Sequence, residues 1–285
     1  MKLPNLSSMV KVGQLRYIQA SFEPPELRNP DQLVHKILPL RERVLAFGQG
    51  ATRLNKLRMQ PFYYYLLART KYYDDLFVSS LERGTACIIN IGCGSDTRVH
   101  RFRETLAACG ATALEMDQAA AISVKQTIAS RHWPESLVEY APIDLNDTRW
   151  PALQAYLAER GGTRVQVIME GVSPYVDADS FSGFLAFLAR TLAPGSRIAY
   201  DFKVQGIDDT FGASSRTIRP FRLIAERAEV DRYHDALGLR LSAYETSSEL
   251  AGRVVPELGR LGVKPFVNDA LVQLEVPGLF QGELQ

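Results

Sequence analysis

Between Gly84 and Phe202 the sequence switches repeatedly between two periods, and this rhythm restricts the possible folds more than any other feature. Short apolar runs such as CIINI, ALEM and RVQVIM alternate with segments whose apolar residues recur at helical spacing. Strands are expected at Ala86–Ile91, Ala111–Met116, Leu137–Ile143, Arg164–Met169 and in SRIAYDF. Helices are expected at Thr97–Ala108, Ala119–Arg131, Pro151–Glu159 and Asp179–Leu192. Strand and helix in strict alternation predict an α/β fold, a doubly wound, mostly parallel sheet covered on both faces.

The flanks read differently. Ahead of residue 84 the pattern is helical: Asp31 to Gly48, with Gly48 as its stop, and Pro61 to Leu81, with Pro61 in the first turn. After Phe202, residues 206–236 are polar and read as an inserted helical segment. Ser247–Leu261 reads as a helix ended by Gly262, and VKPFVNDALVQLEV as two strands joined near Asn268 and Asp269. The 285 residues thus divide into an N-terminal helical cap or lid, 1–83, and an α/β domain, 84–285, with an insertion at about 206–236.

Charge excludes some partners. With 33 basic and 32 acidic residues the net formal charge is +1, no footprint for nucleic acid or an anionic membrane unless the fold gathers a local basic patch. Cys87, Cys93 and Cys109 match no zinc spacing and are too few for a disulfide framework, so they read as reduced thiols, and no metal is expected. The first residues lack a secretory apolar core, and no run approaches the roughly 20 apolar residues of a membrane helix. A soluble, cytoplasmic protein is the expectation.

The stretch CIINIGCGSDTRVHRF carries the first chemical signal. In open α/β sheets ligands sit beyond the carboxyl ends of the strands, and glycines there let the backbone approach closely. Gly92 and Gly94 occupy that place, though a tight turn without a ligand needs glycine too. A dinucleotide fingerprint requires a third glycine where Thr97 stands, which disfavours NAD, and no phosphate-cradling loop motif occurs. The second strand ends in Asp117, 25 residues beyond Gly92, where a carboxylate can accept both ribose hydroxyls or simply cap a helix. The third ends before Asp144, able to accept from an adenine amine or to serve a turn, with Leu145 beside it to cover the ring. Together the three strand ends outline an adenosine without a phosphate clamp, which points to S-adenosylmethionine.

At these residues, INIGCGSDTRVHRF, EMD, IDL and MEGVSPYV, with LLARTKYYDD upstream, the chain resembles the leucine carboxyl methyltransferase family, over roughly residues 30–205. That family includes protein-phosphatase methyltransferases and bacterial polyketide O-methyltransferases. The resemblance implies a seven-stranded, Rossmann-like class I methyltransferase sheet. By position it implies that Arg69 pairs with the cofactor's carboxylate, Gly92 and Gly94 line the methionine and ribose, and Asp117 with Gln118 holds the ribose. Asp144 and Leu145 would hold the adenine, Glu170 and Gly171 would lie near the cofactor's amino group, and Arg98 would tie down the glycine loop. Cys93 and the Tyr175-Val176 ending depart mildly from the family pattern.

A carboxylate acceptor needs no general base, whereas a phenol or alcohol does, usually His or Lys. Of the four histidines, His100 and His132 read as packing or surface residues, leaving His35 and His234 as possible bases. Tyr175 and Tyr200 are the other possible substrate contacts. No catalytic residue is certain, because methyl transfer depends mainly on alignment. The leading expectation is O-methylation of a small-molecule, secondary-metabolite-like carboxylic acid. A protein C-terminus, a non-catalytic adenosine-binding module and, last, an NAD oxidoreductase remain open. Oligomeric state is not legible.

Overall fold

A computed structural model describes residues 4–134, 137–207 and 218–278. Its strands are β1 (Cys87–Ile91), β2 (Thr112–Asp117), β3 (Val138–Pro142), β4 (Val165–Met169), β5 (Arg197–Val204), β6 (Arg222–Leu223), β7 (Arg240–Thr246) and β8 (Asp269–Glu275). Seven lie in the order β3-β2-β1-β4-β5-β8-β7, with two-residue β6 added parallel to the end of β5. Only β8 is reversed, antiparallel to both β5 and β7. The order turns at β1 and β4, so a crevice opens beyond their carboxyl ends.

The helices are α1 (Pro4–Phe22), α2 (Val34–Ile37), α3 (Leu40–Arg58), α4 (Pro61–Glu82), α5 (Arg98–Arg101), α6 (Arg103–Ala108), α7 (Ala119–His132), α8 (Pro151–Glu159), α9 (Ala178–Thr191), α10 (Arg227–Asp235) and α11 (Ser247–Val254). β1 and β4 are buried along their whole length because both sheet faces are covered. On one face α8 and α9 pack Leu153, Phe181, Phe184 and Leu188 against Ile89, Val167 and Tyr200. Asp177 caps α9, accepting from the Asp179 amide at 3.0 Å. On the other face α4 sets Tyr65, Ala68, Leu76 and Phe77 against Ile88, Ala113 and Ile168. A third cluster, with Ile18, Ala46, Tyr63 and Leu67, joins α1 and α3 to α4.

Several elements differ from the sequence expectation. The segment from Asp31 is two helices, broken where Pro39 bars continuation, and α3 runs past Gly48 to Arg58. A helical glycine costs only about 1 kcal/mol, and packing overrides it here. At Gly50 a side chain would need the space held by the Phe22 ring, 2.4 Å from the Cβ position. The expected C-terminal hairpin is not formed: 263–267 is not strand, and β8 pairs with β5 and with distant β7. The 206–236 stretch holds β6 as well as α10, and residues 208–217 lie outside the described residues. Helix α1 has too weak an apolar periodicity to be read from sequence.

Candidate active site

The crevice beyond β1, β2 and β4 is a pocket whose walls come from six parts of the chain: α1, α4, the loop after β1, and the segments following β2, β3 and β4. Among its lining residues are Arg69, Gly92, Gly94, Asp117, Gln118, Asp144, Leu145, Glu170, Gly171 and Tyr175. All nine residues expected to hold the cofactor are therefore gathered in one place, with Tyr175 beside them.

The loop after β1 shows what the two glycines are for. Both have positive φ, 65° at Gly92 and 41° at Gly94, a region strained for other residues. A side chain at Gly92 would meet Val172 at 2.4 Å, and one at Gly94 would meet Met9 of α1 at 3.0 Å. The backbone is thus approached by protein side chains from two other segments, and its open edge faces the pocket. Beneath it Lys125 donates to Glu115 at 2.7 Å, and burial pushes the Glu115 carboxyl up to about 7.

Asp117 sits half-buried at the end of β2, accepting from the Gly94 amide at 2.8 Å and the Gln118 amide at 2.7 Å. One bond to each oxygen leaves further lone pairs for a ligand diol. Asp144 accepts from the Asn146 amide at 2.9 Å, so it shapes the turn after β3 while also lining the pocket. Leu145 and Ile143 beside it are buried and apolar.

Glu170, just past β4, is engaged by three guanidiniums. Arg16 and Arg69 bond its Oε1, the latter at 3.1 Å, and Arg98 bonds Oε2 at 2.9 Å. Burial opposes its charge, but the guanidiniums of Arg16, Arg98 and Arg69 outweigh that and hold the carboxyl down at about 2. Arg98 also bonds Asp74 at 2.8 Å and Asp96, which ties the glycine loop to α4. Asp96 too is held below the usual carboxylate range: burial opposes its charge, and Arg98, Lys125 and Arg16 prevail. Arg69 reaches Asp201 at 3.3 Å, and Asp201 accepts from the Gly171 amide at 2.7 Å and the Tyr73 hydroxyl at 3.1 Å.

Three of the four expected substrate contacts lie elsewhere. Tyr200 is fully buried under α9, and its hydroxyl bonds His234 Nε2 at 2.6 Å. His234, also fully buried, donates from Nδ1 to the Val230 carbonyl at 2.5 Å. Burial lowers its pKa to about 4, so it is a neutral packing residue. Both side chains point into the core made by α10, away from the crevice. His35 donates to the Gln32 carbonyl at 2.8 Å and does not line the pocket.

Sequence reasoning missed Arg16, Met9 and Val12, which α1 brings to the pocket, and Asp201, which lies inside a strand. No local signal marks Arg16, because its partners Asp31 and Glu170 lie far along the chain.

The residues fit an adenosyl sulfonium cofactor. A carboxylate suited to a diol, an apolar slot next to a second carboxylate, and two guanidiniums share one pocket, and no phosphate-binding motif accompanies them. Among the described residues the Glu170 Oε2 accepts only from Arg98, which leaves it a site for an ammonium.

A family profile described as leucine carboxyl methyltransferase matches residues 30–189, more than half of the chain. The chain belongs to this family. S-adenosylmethionine is its cofactor. Relatives provisionally named S-adenosyl-L-methionine-dependent methyltransferases include one from Mycolicibacterium smegmatis, 30% identical over 48% of this chain and 43% of the relative. Another, from Mycobacterium ulcerans, is 31% identical over 46% of this chain and 42% of the relative. The chain thus aligns over less than half the length of these relatives. Among solved structures, a DUF574 family protein from Streptomyces avermitilis matches 94% of this chain and 97% of its own with a TM-score of 0.56 at 14% identity. A protein from Thermobifida fusca, provisionally named a methyltransferase, matches 88% and 95% with a TM-score of 0.56 at 10% identity. These likenesses concern the fold. The leucine carboxyl methyltransferase family assignment, like the seven-strand sheet, agrees with the sequence expectation. No helix of the described residues is long and apolar enough to cross a membrane.

Proposed function

We propose that this chain is an O-methyltransferase that forms a methyl ester on the carboxylate of a small-molecule acid. The observation that carries the reading is the pocket's lining, which among the described residues holds carboxylates and guanidiniums but neither histidine nor lysine. The two buried acids closest to the arginines, Glu170 and Asp96, are held strongly ionised and are poor proton acceptors. An acceptor that is already anionic at neutral pH needs no such help, and the family's description names a carboxyl group.

In this reading Asp117 and Gln118 hold the ribose, while Asp144 and Leu145 hold the adenine. Arg69 and Arg16 face the cofactor's carboxylate, and Glu170 with Gly171 lies by its amino group. When bound, S-adenosylmethionine supplies an electrophilic methyl group on a sulfonium. The protein's part is alignment and exclusion of water: α1 lays Met9 and Val12 over the pocket, and Asp201 braces both Arg69 and the Gly171 amide. Tyr175 lines the same pocket from the turn that follows β4, and in this reading it touches the acceptor.

Calorimetric titration with S-adenosylhomocysteine tests the cofactor site, with Asp117→Ala as the control. Transfer of labelled methyl to a panel of carboxylic acids, phenols and alcohols tests the acceptor. Label that is released as methanol by mild base marks an ester. Base-stable label on phenols or alcohols alone would overturn the carboxylate assignment.

A further inference from the structure

Helix α3 buries Ala46 and Gly50 against the Phe22 side of α1 and turns a ridge outward. Leu40, Val44 and Phe47, spaced to lie in one line, are 66%, 63% and 55% exposed. At 100° per residue, Arg41 falls on one flank of this line and Arg43 on the other.

The helix carries five basic residues and one acidic. Arg58 pairs with Glu23 and the acidic Glu42 accepts from Gln14 at 3.0 Å. Arg41, Arg43, Arg53 and Lys56 have no ion pair among the described residues. Because the whole chain is at +1, the remainder is net negative and this helix is a local cationic island. The near-neutral total that argued against an anionic membrane conceals it.

The charge pattern also selects the occupant. A two-fold contact with a second copy would bring two such cationic faces together, which is repulsive. A convex apolar ridge between basic flanks matches a helix lying in a lipid interface, its apolar line at the acyl boundary and its cations at the phosphates. We propose that α3 docks the protein reversibly on an anionic membrane surface. The face lies one helix from the pocket: α1 packs under α3, joined by the Gln14–Glu42 bond, and supplies Met9, Val12 and Arg16 to the lining. Docking therefore sets the covering helix of the pocket beside the bilayer. The proposal does not depend on the acceptor's identity.

Co-sedimentation of the purified protein with vesicles tests it. One set is phosphatidylcholine alone, the other phosphatidylcholine and phosphatidylglycerol at about seven parts to three. Binding is expected to the anionic vesicles only, and to fall as salt is raised. It should weaken about tenfold or more in Leu40→Asp/Val44→Asp and in Arg41→Glu/Arg43→Glu. Both variants should keep the wild-type thermal midpoint and S-adenosylhomocysteine affinity, since none of these side chains is buried or lines the pocket. Failure to bind either vesicle, equal binding to both, or binding unaffected by both variants would overturn the proposal. So would a concentration-dependent dimer that the Leu40→Asp/Val44→Asp variant abolishes, which would assign the ridge to a second copy.

Discussion

The carboxyl end of β4 and the middle of β5 lie side by side in one sheet, yet they put polar groups to opposite uses. At β4, Glu170 meets three guanidiniums at the edge of an open pocket, and its charge is maintained. At β5, Tyr200 and His234 satisfy only each other and the Val230 carbonyl, sealed beneath α9 and α10, and the imidazole stays neutral. Residue types familiar from active sites serve packing in the second place, because helix α10 closes over them. A histidine is informative about chemistry only once its access to solvent or ligand is known.

The most severe way to probe this contrast is Glu170→Ala. Removing the shared anion leaves Arg16, Arg69 and Arg98 buried without their central partner, and a loss of about 3–5 kcal/mol in urea unfolding is expected. A loss below about 1 kcal/mol would show that the cluster does not hold α1, α4 and α5 together. Asp117→Ala should act on binding instead. Losing charged hydrogen bonds worth about 1.5–3 kcal/mol each should weaken S-adenosylhomocysteine by about 100-fold, with a small change in thermal midpoint.

The sealed side is tested by pH. The pKa of His234 is about 4 in the folded protein, below its ordinary value near 6.5, so the unfolded chain binds the proton first. Its contribution is complete above about pH 6.5 and is lost as pH falls toward 4. Between about pH 6 and 4 the wild type should lose up to about 1.4 kcal/mol per pH unit more than His234→Gln. His100, lowered to about 3 by burial, titrates alike in both and cancels. The smallest effect is expected for Tyr200→Phe: about 1 kcal/mol of stability and no change in cofactor affinity. A change in methyl transfer for this variant at unchanged stability would break the comparison and return Tyr200 to the site.

Much of the pocket was legible because its recognition elements follow strand ends. Gly92, Asp117, Asp144 and Glu170 each come just after a strand, and a parallel sheet brings such positions to one edge. Asp117 was especially accessible, since its partners are backbone amides of nearby loops. The misreadings have physical causes. The apparent hairpin failed because β8 found β5 and β7 as better neighbours than 263–267. Gly48 failed as a helix stop because burial against α1 outweighs a small propensity cost.

By itself the sequence determined the alternating α/β frame, its doubly wound sheet and the order of polar residues along one edge, all of which depend on periodicity and local chain geometry. The tertiary structure alone decided that Arg16 reaches Glu170 from 154 positions away, that Tyr200 and His234 are sealed, and that Leu40, Val44 and Phe47 of α3 stay exposed. Those outcomes depend on which distant surfaces meet, and burial and charge pairing are properties of that meeting rather than of any local run of residues.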